Sequence, residues 1–266
     1  MEPITSVRNP RIREVAALAR RRERVRTGRH LVEGPKAVAE ALAAGVVEEV
    51  FATDGALADL SVPSGTRVQP VSEHVLERLA DAMTPQGVVA VAVSRLARLA
   101  EVVGTGLLVV LHEVADPGNA GTIVRTADAA GAAGVVLTRG STDPFGPKAV
   151  RAAAGSTYHL PLVVDMDLAD VVAACRAAGQ PLLGLDAAGS RSVFELAVST
   201  PPLGLVLGSE AHGLSTEAAG LLDGMVAIPR WGRAESLNVA AAAAVAVYAA
   251  AQAVHTTPSP GRPQVG

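Results

Sequence analysis

Short apolar runs alternate with stretches of helical periodicity along most of this chain. Residues 10–26, entered through Asn9-Pro10, repeat apolar positions at helical spacing and predict one helix with a basic outer face. Residues 31–33 predict a short strand ending at Gly34-Pro35, and 36–44 a helix closed by Gly45. Strands are expected over 46–52, 67–71 and 88–93, with a helix over 72–81 capped by Ser72. Turns fall at Pro63-Ser64-Gly65 and Pro85-Gln86-Gly87, so residues 1–95 form a small α/β domain.

Residues 96–106 read as a partly helical linker, and the alternation resumes over 107–256. Strands are predicted at 107–112, 135–138, 158–162, 181–185, 205–207 and 225–228. Helices are predicted at 120–130, closed by Gly131, and at 148–154, 168–178 and 216–222, with a short turn near 193–196. A long alanine-rich helix, 237–254, completes the series. Strands alternating with helices imply an α/β fold with a parallel sheet covered on both faces. The tail over 257–266, with Pro258, Pro260 and Pro263, is expected to be disordered.

Charge sharpens this picture. Residues 1–30 hold nine arginines against three glutamates, a local +6 in a chain of formal net charge −3, so the remainder carries −9. A basic arm on an acidic body is what a polyanion-binding end requires. Candidate polyanion contacts are Arg8, Arg11, Arg21, Arg22 and Arg29 of the arm, with Lys36 and Arg151 further along the chain. Only six aromatic residues occur, which argues against base stacking on an aromatic platform. Cys175 is the single cysteine, expected to be an inert buried thiol, and it leaves no disulfide framework. The histidines lack metal-ligand spacing, so no metal is expected. The polar, basic N-terminus carries no apolar signal core, and the longest uncharged run is too short to span a membrane. A soluble, cytoplasmic protein is the expectation.

Three loops carry the candidate chemistry. The first, after the 107–112 strand, contains Asp116-Pro117-Gly118-Asn119 and leads to Arg125. Asn119 is a plausible helix cap, while Arg125 sits among apolar residues where a part-buried guanidinium would need an anionic partner. The second, Gly208-Ser209-Glu210-Ala211-His212-Gly213, places a carboxylate between glycines directly after a strand, where backbone can approach a ligand. The third runs from Ile228-Pro229 to Ser236-Leu237-Asn238; Ser236 suits a helix cap, and Asn238 has less structural reason to be there. No G-x-G-x-x-G follows a strand, no P-loop appears, and no G-x-S-x-G elbow occurs.

Taken together, the loops resemble the three motifs of the SpoU, or TrmH, family of RNA ribose 2′-O-methyltransferases in the SPOUT superfamily. The match is Asn119-x-Gly121-x-x-x-Arg125, then Gly208-x-Glu210-x-x-Gly213, then Ile228-Pro229 leading to Ser236-Leu237-Asn238-Val239. It covers 107–254, and 143–151 also resembles a segment between the first two motifs. Residues 28–34 and the following helix look like the family's RNA-binding extension, which resembles small ribosomal-protein-like domains. A serine frequent after the family's Asn-Val is Ala240 here, and one common near Arg151 is Ala153.

The resemblance implies a C-terminal trefoil knot, a homodimer packed through the knotted domain, and S-adenosylmethionine held largely by backbone. The implied cofactor contacts are Leu207, Gly208, Gly213, Ile228, Pro229 and Leu237; the implied catalytic set is Asn119, Arg125, Glu210, Ser236 and Asn238. The implied substrate is structured RNA, with 23S ribosomal RNA favoured over transfer RNA by the basic arm. Two other readings fit the residues: a non-catalytic RNA-binding protein on the same scaffold, and a small-molecule enzyme that clamps an anionic substrate with Arg125.

Overall fold

The computed structural model describes residues 2–58, 60–196 and 202–255; the tail expected to be disordered lies outside the described residues. The chain forms two compact units that are not consecutive in sequence. The first takes the described residues of Met1–Leu96, Asp116–Arg125 and Thr142–His159, and the second takes the rest.

The first unit opens with α1 (Pro10–Ala17), α2 (Arg21–Thr27), β1 (Arg29–Glu33), α3 (Pro35–Ala43) and β2 (Val47–Ala52). It continues with α4 (Asp54–Leu57), β3 (Arg67–Pro70), α5 (Glu73–Leu79) and β4 (Val88–Val93). Its four strands order as β1-β4-β2-β3, with β4 antiparallel to both neighbours and β3 parallel to β2. The Asn9 side chain accepts from the Arg11 N–H and Pro10 takes the first helical turn, so α1 starts where the sequence puts it. Ser72 caps α5 by accepting from the Val75 N–H.

The single helix predicted over 10–26 is instead two, broken at 18–20. Arg24 is the physical reason. Its guanidinium turns inward and donates to the carbonyls of Leu18 (2.9 Å) and Ala19 (2.8 Å), groups a continuous helix would have used itself. It also pairs with Asp143 at 2.8 Å, and both side chains are largely buried. Beside this pair lies fully buried His30, its Nδ1 3.0 Å from the Ser94 hydroxyl and its Nε2 3.1 Å from the Tyr158 hydroxyl. The Phe145 ring stands 4.7 Å from the imidazole centroid. These contacts explain why 142–159 belongs to the first unit. They also explain why no strand forms at 158–161: Ser156–Tyr158 is a tight 3-10 turn that turns the phenol toward His30, and the strand begins only at Leu162.

The second unit contains α6 (Leu99–Val102), β5 (Leu107–Leu111), the last turn of α7 (Pro117–Ala129) and β6 (Gly134–Thr138). The next helix, α8 (Pro147–Ala153), belongs to the first unit. After it come β7 (Leu162–Met166), α9 (Leu168–Ala177), β8 (Leu182–Leu185) and β9 (Arg191–Ser192). The last elements are β10 (Leu203–Leu207), α10 (Thr216–Leu221), β11 (Gly224–Ala227) and α11 (Val239–His255). All seven strands are parallel, in the order β7-β6-β5-β10-β8-β11-β9, as the alternation predicted.

Leu108, Val110 and Val206 pack with α6, α9 and α10 in one buried cluster that includes Cys175. Burial pushes that thiol up to about 11, so it stays protonated and unreactive. α11 packs against β5 and β10 through Ala243, Ala246, Val247 and Ala250, all fully buried. Alanine lets this helix lie close to the strands.

Desolvation lowers the His30 pKa to about 3, so the ring is neutral when folded. An unfolded chain takes up that proton below about pH 6.5 and the folded one does not. Stability should therefore fall by roughly 1 kcal/mol per pH unit from this residue as pH drops from 6.5 to 5, steepening toward the lower end. Urea unfolding of wild type and His30→Gln across that window checks this, and parallel pH profiles would contradict it.

Candidate active site

Chain order reverses at the junction of β5 and β10: β6 and β7 extend to one side of β5, while β10, β8, β11 and β9 lie on the other. Ligands of open parallel sheets bind outside the carboxyl ends of strands at such a junction. Leu111 and Leu207 end these strands in register, and the His112 N–H continues the ladder to the Leu207 carbonyl at 2.8 Å. His112 Nδ1 lies 3.0 Å from the Thr138 hydroxyl at the end of β6.

The loop after β10 is a closed turn. Ser209 and Gly213 exchange backbone hydrogen bonds of 3.0 and 2.8 Å. A Cβ on Gly208 would lie 2.3 Å from the Gly213 backbone, and Gly213 itself has φ +66°. Both glycines of the second motif are therefore demanded by the turn. The Glu210 carboxylate accepts from the Ala115 N–H at 3.0 Å, which ties this loop to the start of the first-motif loop.

Sequence reasoning missed a third participant at this edge, the loop after β8. Asp186 accepts from the Ala188 N–H, and its carboxylate stands 3.4 Å from where a Gly213 Cβ would be. Gly189 lies so close to Val226 that a Cβ would sit 2.4 Å from its carbonyl carbon. Asp186-Ala187-Ala188-Gly189 is an ordinary turn sequence, and only the strand order brings it between the loops after β10 and β11.

After β11, Ile228 and Pro229 are half-buried and 230–238 is exposed, including Trp231, Ser236, Leu237 and Asn238. The predicted cap assignment changes here. Asn238, not Ser236, begins α11: its Oδ1 accepts from Ala240 (2.9 Å) and Ala241 (3.3 Å), and its carbonyl accepts from Ala242. The amide that seemed to lack a structural reason has one. Ala240 and Ala153, the two departures from the family pattern, are buried at 7% and 1% exposure.

The first motif lies on α7. That helix starts at Pro117, so Asn119 is inside its first turn, and Asp116 is the capping side chain, accepting from the Asn119 N–H at 2.9 Å. Lys148 pairs with Asp116 at 2.6 Å and, with the backbone donors, holds its carboxyl below the usual range. Gly121 packs against α8, where a Cβ would meet the Ala149 carbonyl at 2.2 Å. The part-buried arginine expected at 125 is exposed, because its position on α7 faces away from the residues that bury Ile123 and Val124. The Arg125 side chain makes no hydrogen bond or ion pair among the described residues.

The candidate RNA contacts divide. Arg8, Arg21, Arg22 and Lys36 are exposed. Arg11 pairs with Glu14 and with buried Glu49, Arg29 with Glu48, and Arg151 with Asp81 at 2.6 Å and Glu33 at 3.6 Å. Among the described residues no cluster of His, Cys, Asp and Glu could hold a metal ion, and no helix is long and apolar enough to cross a membrane.

Residues 106–248 match the SpoU rRNA Methylase family, and 9–90 match the MRM3-like substrate binding domain. The 23S rRNA (guanosine(2553)-2′-O)-methyltransferase RlmP of Bacillus subtilis is 33% identical over 93% of this chain and 98% of its own. The AdoMet-bound rRNA methyltransferase from Sinorhizobium meliloti superposes with a TM-score of 0.84 at 33% identity, covering 94% of this chain and 97% of that one. The SpoU methyltransferase AviRb from Streptomyces viridochromogenes, in complex with AdoMet, gives 0.79 at 31% identity, covering 92% and 98%.

Removing a helix cap costs about 1 kcal/mol. Asn238→Ala should lose about that much in urea unfolding, while Asn238→Asp, which keeps an acceptor oxygen, should lose little. Equal stability of wild type and Asn238→Ala would remove the capping role.

Proposed function

This chain belongs to the SpoU rRNA methylase family, and on that premise we propose that it methylates a ribose 2′-hydroxyl of 23S ribosomal RNA, with Arg125 as the group that holds the substrate. The enzyme is an S-adenosylmethionine-dependent ribosomal RNA ribose 2′-O-methyltransferase. The observation that carries the assignment of Arg125 is its exposed guanidinium, unpaired among the described residues, six positions after Asn119 in the first motif.

The loops at the carboxyl ends of β10 and β11 fit S-adenosylmethionine by their chemistry. Ile228, Pro229 and Leu237 are half-buried or exposed and supply apolar surface for an adenine, while buried Leu207 and the Gly208–Gly213 turn shape the backbone beside it. When bound, the cofactor supplies an electrophilic methyl group on a sulfonium. The protein's part is to place the hydroxyl and manage its proton.

A ribose hydroxyl is a weak nucleophile at neutral pH, and no histidine occupies a motif position. Arg125 grips an RNA phosphate through its fork of donors and orients the hydroxyl, with the proton passing to that phosphate or assisted by Arg125 itself. In-line placement of this kind can supply several kcal/mol. Glu210 fixes the second-motif loop against Ala115, and Ser236 and Asn238 position the ribose and shape the cofactor pocket. Asn238 does so from a backbone its own cap holds in place.

The reading extends to a trefoil-knotted C-terminal domain, to a homodimer and to a cytoplasmic setting. Dimerisation through the second unit is supported by exposed apolar side chains: Phe194 on the turn that packs against α11, Tyr248 on α11, and Leu237 just before it. The basic arm supports ribosomal RNA as the substrate over a small anionic molecule.

Arg125→Ala should reduce methyl transfer to 23S ribosomal RNA by at least about 100-fold, the effect expected when a positioned charged group is removed. Its affinity for S-adenosylmethionine, read by calorimetry or Trp231 fluorescence, should stay within about two-fold. Transfer near the wild-type rate would overturn the assignment. An intact chain that binds no S-adenosylmethionine would overturn the enzymatic reading.

A further inference from the structure

Ion pairing divides the arginines of the N-terminal arm into two sets that the sequence does not distinguish. Arg11, Arg24, Arg26 and Arg29 are each neutralised by a carboxylate. Arg13 and Arg20 are exposed and carry no ion pair among the described residues. Arg78, in the last turn of α5 and more than fifty residues further along the chain, is exposed and equally unpaired.

These three side chains line one open cavity of about 580 Å³ formed where α1 packs on α5. Its floor is small, formed by Pro10 and alanines such as Ala16 and Ala17. Among the described residues its one acidic side chain, Glu14, is already held by Arg11 at 2.7 Å. Three unneutralised guanidinium groups around one concavity repel one another in the free chain, and an anionic ligand removes that repulsion.

We propose that Arg13, Arg20 and Arg78 form an RNA-backbone subsite, a groove that takes consecutive phosphates of the ribosomal RNA substrate. The inference rests on the RNA-methyltransferase reading and assigns to the first unit a specific docking groove. The shape and chemistry favour a sugar-phosphate backbone over bases. Among the described residues no aromatic side chain lines the cavity to stack a base, and the alanine floor leaves room for a backbone to lie close to the charged rim. Guanidinium forks suit phosphate oxygens. The groove is sequence-blind by this account; it sets register and affinity, and discrimination among nucleotides lies elsewhere.

Counterion release makes the test quantitative. Removing one phosphate-binding charge makes the slope of log affinity against log salt shallower by about 0.7–0.9. A 23S ribosomal RNA transcript is titrated with wild type, Arg78→Gln, the triple variant Arg13→Gln/Arg20→Gln/Arg78→Gln, and Arg98→Gln. Arg98 is an exposed arginine outside the groove whose charge is met by Glu101, so its variant controls for net charge. Arg78→Gln should lower the slope by about one and the triple variant by two or more, with at least about ten-fold weaker binding. Arg98→Gln should match wild type, and S-adenosylmethionine affinity should be equal in all four. If wild-type binding is salt-dependent and the groove variants match Arg98→Gln, the groove is overturned while the RNA reading stands. If the wild type itself shows no salt-dependent affinity for the transcript, the RNA reading fails and the groove with it.

Discussion

The parallel pairing of β5 with β10 is the constraint on which the candidate site depends. The strands are far apart in sequence, yet their register sets Leu111 beside Leu207, so the loops that follow them leave the sheet together. One further ladder bond, from His112 to the Leu207 carbonyl, and one side-chain bond, from the Ala115 N–H to Glu210, keep them together beyond the strands. β8 and β11 add their own ends to the same edge. A parallel sheet must place all its carboxyl ends on one side, and the reversal of chain order next to β5 opens the crevice there. The glycines of the second motif follow from this geometry, since the Gly208–Gly213 turn leaves no room for a Cβ at Gly208.

Much of the fold was legible because parallel sheets buried on both faces leave a plain signature: apolar runs such as 107–111 and 203–207 alternating with amphipathic stretches. Two of the fold differences share one origin, polar side chains recruited by partners distant in sequence. Arg24 looked like part of a basic helical face, yet it breaks that helix to satisfy two carbonyls and Asp143. Tyr158 looked like the start of a strand, and its contact with His30 makes it a turn. At the site, the motif spacing located the loops but misjudged local roles. Asp116 rather than Asn119 caps α7, and Asn238 rather than Ser236 caps α11. In both cases the capping residue stands directly before the first helical residue, a boundary that periodicity places only to within a few positions. β9, two residues long, and the Asp186 loop have no sequence signal of their own; strand order alone gives them a place.

The same distinction governs the electrostatics. A count of charges treats the nine arginines of the arm as equivalent, whereas the structure assigns them different work. A buried pair such as Arg24–Asp143 is costly to desolvate, but once formed it is costly to break, so it fixes the helix pair and the 142–159 segment in one arrangement. Exposed pairs such as Arg29–Glu48 contribute little to stability and mainly cancel charge. What remains for a polyanion is the unpaired subset, and Arg125 on α7 belongs to the same class.

The loops at the carboxyl edge of the seven-stranded sheet are the proposed holders of the methyl donor. Backbone amide hydrogen exchange with and without saturating S-adenosylmethionine tests this most directly, because the proposed contacts are largely to backbone. Slowed exchange is expected to concentrate in 208–213 and 228–238, with the four-stranded sheet of the first unit unchanged. Protection centred on that four-stranded sheet, or none at either loop under saturation, would contradict it.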